Sequence, residues 1–233
     1  MSSRRRSIVD EALALYKQGW FLMAKDEVDW QEAGAPARDD EEQDHHSIAE
    51  WVQPTIRGLI PLDERFHIPA SLSRRVRSGR FEVTCDQAFS EVIRACAKSA
   101  PGRETTWLNE DIIALFKMFH AEGHAHSVEA WRIESGTRVL VGGLYGVALG
   151  RVFAGEAMFS FPELGGTDAS KVCLVHLVEN LRVMGFVALD AQMANPHLQQ
   201  FGLYTIPAAE YQRLLAKESN TNIKWKWSEL HNK

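Results

Sequence analysis

Between residues 127 and 159 the hydrophobic pattern changes period, from a 3.6-residue repeat upstream to long apolar runs broken by turn chemistry. Strands are predicted over residues 127–133, 139–149 and 152–159, the first two joined by E134-S-G-T137. Connections this short leave only an antiparallel meander. The period then reverts. Residues 168–184 carry Val172, Leu174, Val175, Leu177, Val178 and Leu181 at helical spacing, and Gly185 supplies the stop. A strand over 186–191, a short helix at 197–201, a strand at 203–206 and a helix opening after Pro207 complete the series. A meander followed by alternating helices and strands predicts a mixed α/β (α+β) fold.

Upstream, residues 8–18 read as a helix closed by Gly19, with the apolar W20-F-L-M23 against which it can pack. Residues 25–50 include the charge-dense R38-D-D-E-E-Q-D-H-H46, which cannot bury enough surface to offset its ordering entropy and reads as a solvated loop. From Trp51 to Pro69, prolines and Gly58 interrupt any regular period, so the inter-domain connection is expected there. The division is a small N-terminal domain, 1–66, and a larger domain, 67–233. A short basic helix is predicted over 71–79 and a strand over 80–84. Two amphipathic helices follow at 86–97 and 109–120, with Asn109 as a natural N-cap.

Composition excludes several classes. A chain of 233 residues, 45% hydrophobic, can bury a substantial core. Its longest apolar runs fall well short of the ~20 residues a membrane helix needs. The basic start M1-S-S-R-R-R-S7 runs into an amphipathic pattern rather than a continuous apolar core, so a cytoplasmic, non-membrane protein is expected. Cys85, Cys96 and Cys173 are odd in number and widely spaced, consistent with buried small hydrophobes in a reducing compartment. A net charge of −5 argues against a protein that coats nucleic acid indiscriminately.

Several residue groups could carry chemistry. Asp190 and Gln192, two apart in a strand, project from one face, where a carboxylate and an amide can converge on one bound group. Glu156 opens an apolar strand, where a carboxylate is costly unless paired. Gly142 and Gly143 inside a strand suggest a bulge or the close approach of another backbone. Arg74, Arg75, Arg77 and Arg80 cluster on the short helix and the strand after it, suited to phosphates. His120, His124, His126 and Glu129 look like a ligand list. Gly123 breaks the helix between them, however, so no helical H-E-x-x-H face exists, and neither metal nor cofactor is expected.

Taken in order, H124-A-H-S-V-E-A-W131, V141-G-G-L-Y-G-V-A148, G155-E-A-M-F-S160, D168-A-S-K171 and L189-D-A-Q192 form a set that, with F81-E-V-T84 upstream and the pair Ile206 and Pro207 downstream, resembles the leucyl/phenylalanyl-tRNA-protein transferases over roughly residues 8 to 218. The resemblance implies an enzyme that moves Leu or Phe, with Met as a further candidate, from aminoacyl-tRNA (Leu-tRNA, Phe-tRNA) to the N-terminal Arg or Lys of acceptor proteins, marking them for proteolysis as an N-degron. It implies catalytic roles for Asp190, Gln192 and Glu156. By position in the matched words, Leu144, Leu174, Leu177 and Leu189 would line an amino-acid pocket, with Met158 and Trp107 nearby. It also implies that Trp51 stacks on the tRNA's terminal adenosine and that the Arg74–Arg80 cluster meets its acceptor stem.

The family's W-W-S-P-D-P-R-like word reads W51-V-Q-P-T-I-R57 here, and Ala157, Ala191, Met193 and Leu22 also depart from common choices. The element order suits an acetyltransferase-like (GNAT-like) C-terminal domain. An acyl-CoA N-acyltransferase is the alternative from another substrate class, but residues 162–170 lack the R/Q-x-x-G-x-G/A turn that holds a pyrophosphate. A paralogue that binds tRNA or degrons without catalysis is the third reading. A monomer is expected.

Overall fold

The protein is described from a computed structural model, which covers residues 3–25, 48–98 and 108–228. Helix α1 (Ser3–Tyr16) leads into a two-stranded antiparallel sheet of β1 (Phe21–Lys25) and β2 (Ile48–Val52), in register Phe21↔Val52. Then follow β3 (Ile56–Ile60), α2 (Ala70–Arg77), β4 (Glu82–Cys85), α3 (Phe89–Cys96) and α4 (Glu110–Ala121). The meander is β5 (Ala125–Glu134), β6 (Thr137–Leu149) and β7 (Val152–Ser160). Helix α5 (Ala169–Met184), β8 (Ala188–Gln192), α6 (Pro196–Gln199), β9 (Tyr204–Pro207) and α7 (Ala208–Glu218) close the series. The mixed α/β expectation holds, and the expected charged loop over residues 38–46 lies outside the described residues.

Among the described residues the main sheet has seven strands in the order β4-β5-β6-β7-β8-β3-β9. Every neighbouring pair is antiparallel except β7 and β8. That exception follows from the chain: β7 and β8 are joined through α5, the crossover a parallel pair requires. The ends of α4 and α5 use the chemistry expected of them. Asn109 Oδ1 accepts the Ile112 amide at 2.9 Å, and Gly185 takes the left-handed conformation (φ 81°) that ends α5.

Residues 51–69, expected to be irregular, instead supply the end of β2 and all of β3. Pro54 and Pro61 flank β3 rather than interrupt it, where the missing amide costs no ladder bond. So β3 sits inside the main sheet, between β8 and β9, although it precedes residue 67.

Helices cover both faces of the sheet and form two cores. One gathers Val9, Leu13 and Tyr16 of α1, Phe89 of α3, Phe116 of α4, and Tyr211 and Leu215 of α7 against Tyr145 and Val147. The other gathers Leu174, Leu177 and Leu181 of α5 against Leu144 and Leu189, and the C-terminal residues Trp225 and Trp227 pack onto it. Gly142 explains how α5 lies so close: a Cβ there would stand 2.4 Å from Ala169 Cβ at the helix start. The β5–β6 ladder also slips beside it, between Ala130 and Trp131, so the glycine marks both a bulge and a close approach. No helix among the described residues is long and apolar enough to cross a membrane.

Candidate active site

The site is built where two strands stop pairing. The parallel ladder of β7 and β8 runs Val152↔Ala188, Phe153↔Leu189, Ala154↔Asp190, while β7 continues to Ser160 and β8 to Gln192. Just past that point, the β6–β7 register steps from Gly146↔Gly155 to Tyr145↔Ala157 and leaves Glu156 unpaired. This is a β-bulge. It turns the Glu156 side chain onto the face that carries Tyr145, where α1 and α7 pack. On β8, Asp190 and Gln192 lie on that same face, as the period-2 alternation requires.

Glu156 is met by two donors. The Tyr16 hydroxyl donates to Oε1 at 2.9 Å, and Gln192 Nε2 donates to Oε2 at 2.9 Å. The second bond spans β7 and β8 beyond the end of their ladder. Burial raises the Glu156 carboxyl and the Asp190 charge adds to it. The Gln192 and Tyr16 hydrogen bonds and the Arg57 charge oppose the rise, and the result is about 7. Burial, together with the Glu156 charge, holds the Tyr16 phenol well above its ordinary range, so it stays a donor.

Asp190 is held differently. Arg57 Nε donates to Oδ1 at 2.8 Å and Arg57 Nη2 to Oδ2 at 2.6 Å, a bidentate pair with Arg57 2% and Asp190 0% exposed. The Gln192 amide adds a bond to Oδ1 at 2.8 Å and the Tyr211 hydroxyl one to Oδ2 at 2.8 Å. Four donors occupy the two oxygens. Gln192 itself is in the left-handed conformation (φ 63°), and the Asp190 side chain receiving its amide fixes that bend. Arg57 Nη1 donates to Gly19 O, and its guanidinium lies between the rings of Phe21 and Tyr211, at 4.8 and 4.5 Å. Burial works against the guanidinium charge, but Asp190 more than offsets it and holds Arg57 above the ordinary arginine value.

Arg57, Tyr16 and Tyr211 were not anticipated as site residues. Arg57 had one visible signal: an arginine inside I56-R-G-L-I60 cannot be buried without a carboxylate, and L189-D carries one. Tyr145, on the same face, has a fully buried hydroxyl with no hydrogen-bond partner among the described residues.

The expected pocket residues gather elsewhere. Leu144, Leu174, Leu177 and Leu189 are all buried in the core under α5, with Met158 packed against them and opposite Leu144 in the ladder. That is the opposite face of the sheet from Glu156, because Leu189 and Asp190 are consecutive in a strand. Trp51 is half-buried on β2 and meets Tyr16 edge-on, ring centroids 5.6 Å apart, one step from Glu156. Trp107 lies outside the described residues. Arg74, Arg77 and Arg80 lie at the surface; Arg75 pairs with Asp168 at 3.5 Å, and Arg80 Nη2 donates to Gly165 O at 3.0 Å. The histidine group is taken up by internal contacts, with His120 and His126 both facing Asp86, their Nδ1 atoms 3.8 and 2.7 Å from its oxygens. His120 Nδ1 is also 2.9 Å from Ala125 O. Glu129 accepts from Thr84 and Ser127. No cluster among the described residues could hold a metal ion.

Comparison with known proteins adds to this geometry. A solved structure titled "Crystal structure of FemX" shares the fold, with a TM-score of 0.50, 10% identity, and coverage of 70% of this chain and 64% of that one. A leucyl/phenylalanyl-tRNA–protein transferase of Herpetosiphon aurantiacus is 50% identical over 167 residues, covering 72% of this chain and 81% of the relative. One of Paramagnetospirillum magneticum is 52% identical over 166 residues, covering 71% and 75%. Residues 59–216, which carry Glu156, Asp190 and Gln192, match the family described as leucyl/phenylalanyl-tRNA protein transferase, and the chain belongs to that family.

Proposed function

We propose that the protein is an aminoacyltransferase that moves Leu or Phe from aminoacyl-tRNA to the N-terminal Arg or Lys of an acceptor protein, so creating a destabilising N-terminus for proteolysis. The observation that carries this reading is the Glu156–Gln192 bridge beyond the end of the β7–β8 ladder, in a chain of this family. An aminoacyl ester is already activated. Its aminolysis needs a neutral amine, donors for the oxyanion and alignment, rather than covalent catalysis. A carboxylate and an amide held together at a strand opening can provide these.

The aliphatic side chain of the donor would enter between β7 and β8 towards Leu144, Leu174, Leu177 and Leu189, with Met158 beside them. Its ester and amine would stay on the Glu156 side. Such an apolar pocket discriminates by shape only modestly, which suits a site serving Leu, Phe and Met. Trp51 would stack on the terminal adenosine, and Arg74, Arg75, Arg77 and Arg80 would meet acceptor-stem phosphates. The bulge at Glu156 and the parallel pair that parts after a crossover helix support an acetyltransferase-like (GNAT-like) architecture. The 66/67 division is then a functional one, in which residues 1–66 bring Tyr16, Trp51 and Arg57 to a site whose reacting groups lie in 67–233. We place the enzyme in the cytoplasm, as a monomer.

The test is direct. Purified protein with Phe-tRNA or Leu-tRNA labels a peptide that begins with Arg; absence of labelling at every salt concentration refutes the function.

A further inference from the structure

The two carboxylates of the site differ in what they have left to offer. Asp190 is fully enclosed, and each of its oxygens already takes two donors, from Arg57, Tyr211 and the Gln192 amide. A proton arriving there would have to break the bidentate ion pair and leave a buried guanidinium uncompensated. Glu156 has one donor on each oxygen, so each keeps lone-pair capacity, and the residue at the bulge is half-buried where Asp190 is enclosed. We propose that Glu156 is the catalytic proton acceptor, taking the proton of the attacking amine, and that Asp190 is a positioning residue that acts through Gln192. The assignment rests on the transferase reading and deepens it.

The neutral acceptor nitrogen attacks the ester carbonyl carbon; the C–N bond forms and the carbonyl π pair moves to oxygen. Glu156 takes one proton from the now cationic nitrogen. As the tetrahedral intermediate collapses, the bond to the ribose oxygen breaks, and Glu156 returns that proton to the ribose oxygen and is a carboxylate again. The groups facing Glu156 suit a base that cycles in this way. Tyr16 of α1 and Gln192 of β8 donate to the ionised form, Arg57 of β3 favours it, and Asp190 and burial disfavour it; Tyr145 of β6 is the remaining titratable neighbour. With these influences nearly balanced, the group titrates at about 7, close to the ~7.7–8.0 of a peptide α-amine, so proton transfer in either direction is not strongly uphill.

The experiment is a pH profile of kcat/KM from pH 5 to 9, with Phe-tRNA as donor and an Arg-initiated peptide as acceptor. The wild type needs two deprotonated groups, the acceptor amine and Glu156, so log(kcat/KM) falls at acid pH with a slope approaching two. In Glu156→Gln the value at pH 8 drops by at least about a hundredfold, and the acid limb keeps a slope of one, that of the amine alone. Glu156→Asp, which retains a carboxylate, keeps the slope of two. Asp190→Asn is slower but also keeps it. Far-UV circular dichroism and thermal unfolding of each variant separate lost chemistry from lost fold. A Glu156→Gln profile with the wild-type slope, or a folded Asp190→Asn whose limb has fallen to slope one, overturns the assignment. A wild type that transfers nothing refutes the transferase reading instead.

Discussion

Replacing Glu156 with Gln should make the protein more stable at neutral pH while disabling it. In the native state the carboxyl is densely surrounded, which raises it from an ordinary 4.5 to about 7. At 1.36 kcal/mol per tenfold change in proton affinity, that rise corresponds to about 3 kcal/mol. The sign follows from linkage. Below about pH 4.5 the group is protonated in both native and unfolded chains and costs nothing. Between 4.5 and 7 the unfolded chain gives up its proton while the native one keeps it, so wild-type stability falls as pH rises. Above 7 both are ionised and the full cost is in place. The glutamine of the variant does not titrate. Its carbonyl can accept from Tyr16, and if the Gln192 amide turns over, its NH2 can donate to Gln192 Oε1, so the hydrogen bonds survive. The stability difference between variant and wild type should therefore grow by about 3 kcal/mol between pH 4.5 and 7. For a chain of this size that is roughly 6–12 °C in Tm. Urea unfolding of both proteins at matched ionic strength from pH 4.5 to 8 measures it, with m unchanged between them. A difference that is flat with pH would mean that the Glu156 charge is not desolvated, and the reasoning would fail.

The remaining predictions concern cations. Arg57→Met leaves Asp190 buried and unpaired, so it should cost about 3–5 kcal/mol in denaturant unfolding; a loss under about 1 kcal/mol would show that the pair is not the buried one described. Replacing Arg74 and Arg75 with Ala should weaken use of charged tRNA and flatten the dependence of log KM on log salt, by up to ~0.9 in slope for each phosphate that is no longer neutralised. An unchanged slope would remove α2 from the tRNA surface.

Much of the fold was legible because its signals are local. The three meander strands and α5 follow from the hydrophobic period of residues 127–184, and Asn109 and Gly185 announce helix ends through their own side chain or lack of one. What was hidden is non-local. I56-R-G-L-I60 becomes a strand only because β8 and β9, about 130 to 150 residues later, pair with its two edges. Within the site, strand alternation sufficed to put Asp190 and Gln192 on one face, and the cost of a lone carboxylate foretold that Glu156 has partners. It could not name them. Tyr16 reads as one more apolar position of an amphipathic helix until the bulge in β7 brings Glu156 to its hydroxyl. Consecutive positions such as Leu189 and Asp190 must face opposite ways, and only the three-dimensional sheet shows which core each joins.

That opposition is useful to a transferase. A ligand lying along one face of a sheet sees every second residue of a strand, so polar and apolar demands compete for the same positions. At the end of a ladder the constraint lifts, because a group passing between β7 and β8 meets residues from both faces. On the proposed reading, Leu144 of β6 and Leu189 of β8 would serve the aliphatic part of a substrate, and Glu156 of β7 and Gln192 of β8 its reacting end. The cost falls on the backbone: an unpaired Glu156, a left-handed Gln192 and a ladder cut short at Asp190. The Arg57–Asp190 pair answers this cost. It receives the Gln192 amide, ties β8 to β3 through a bidentate contact, and is anchored on Gly19 between two aromatic rings. Its net contribution to stability is modest in the way of buried ion pairs, so its value lies in holding Gln192 in the one conformation that reaches Glu156 across the opening.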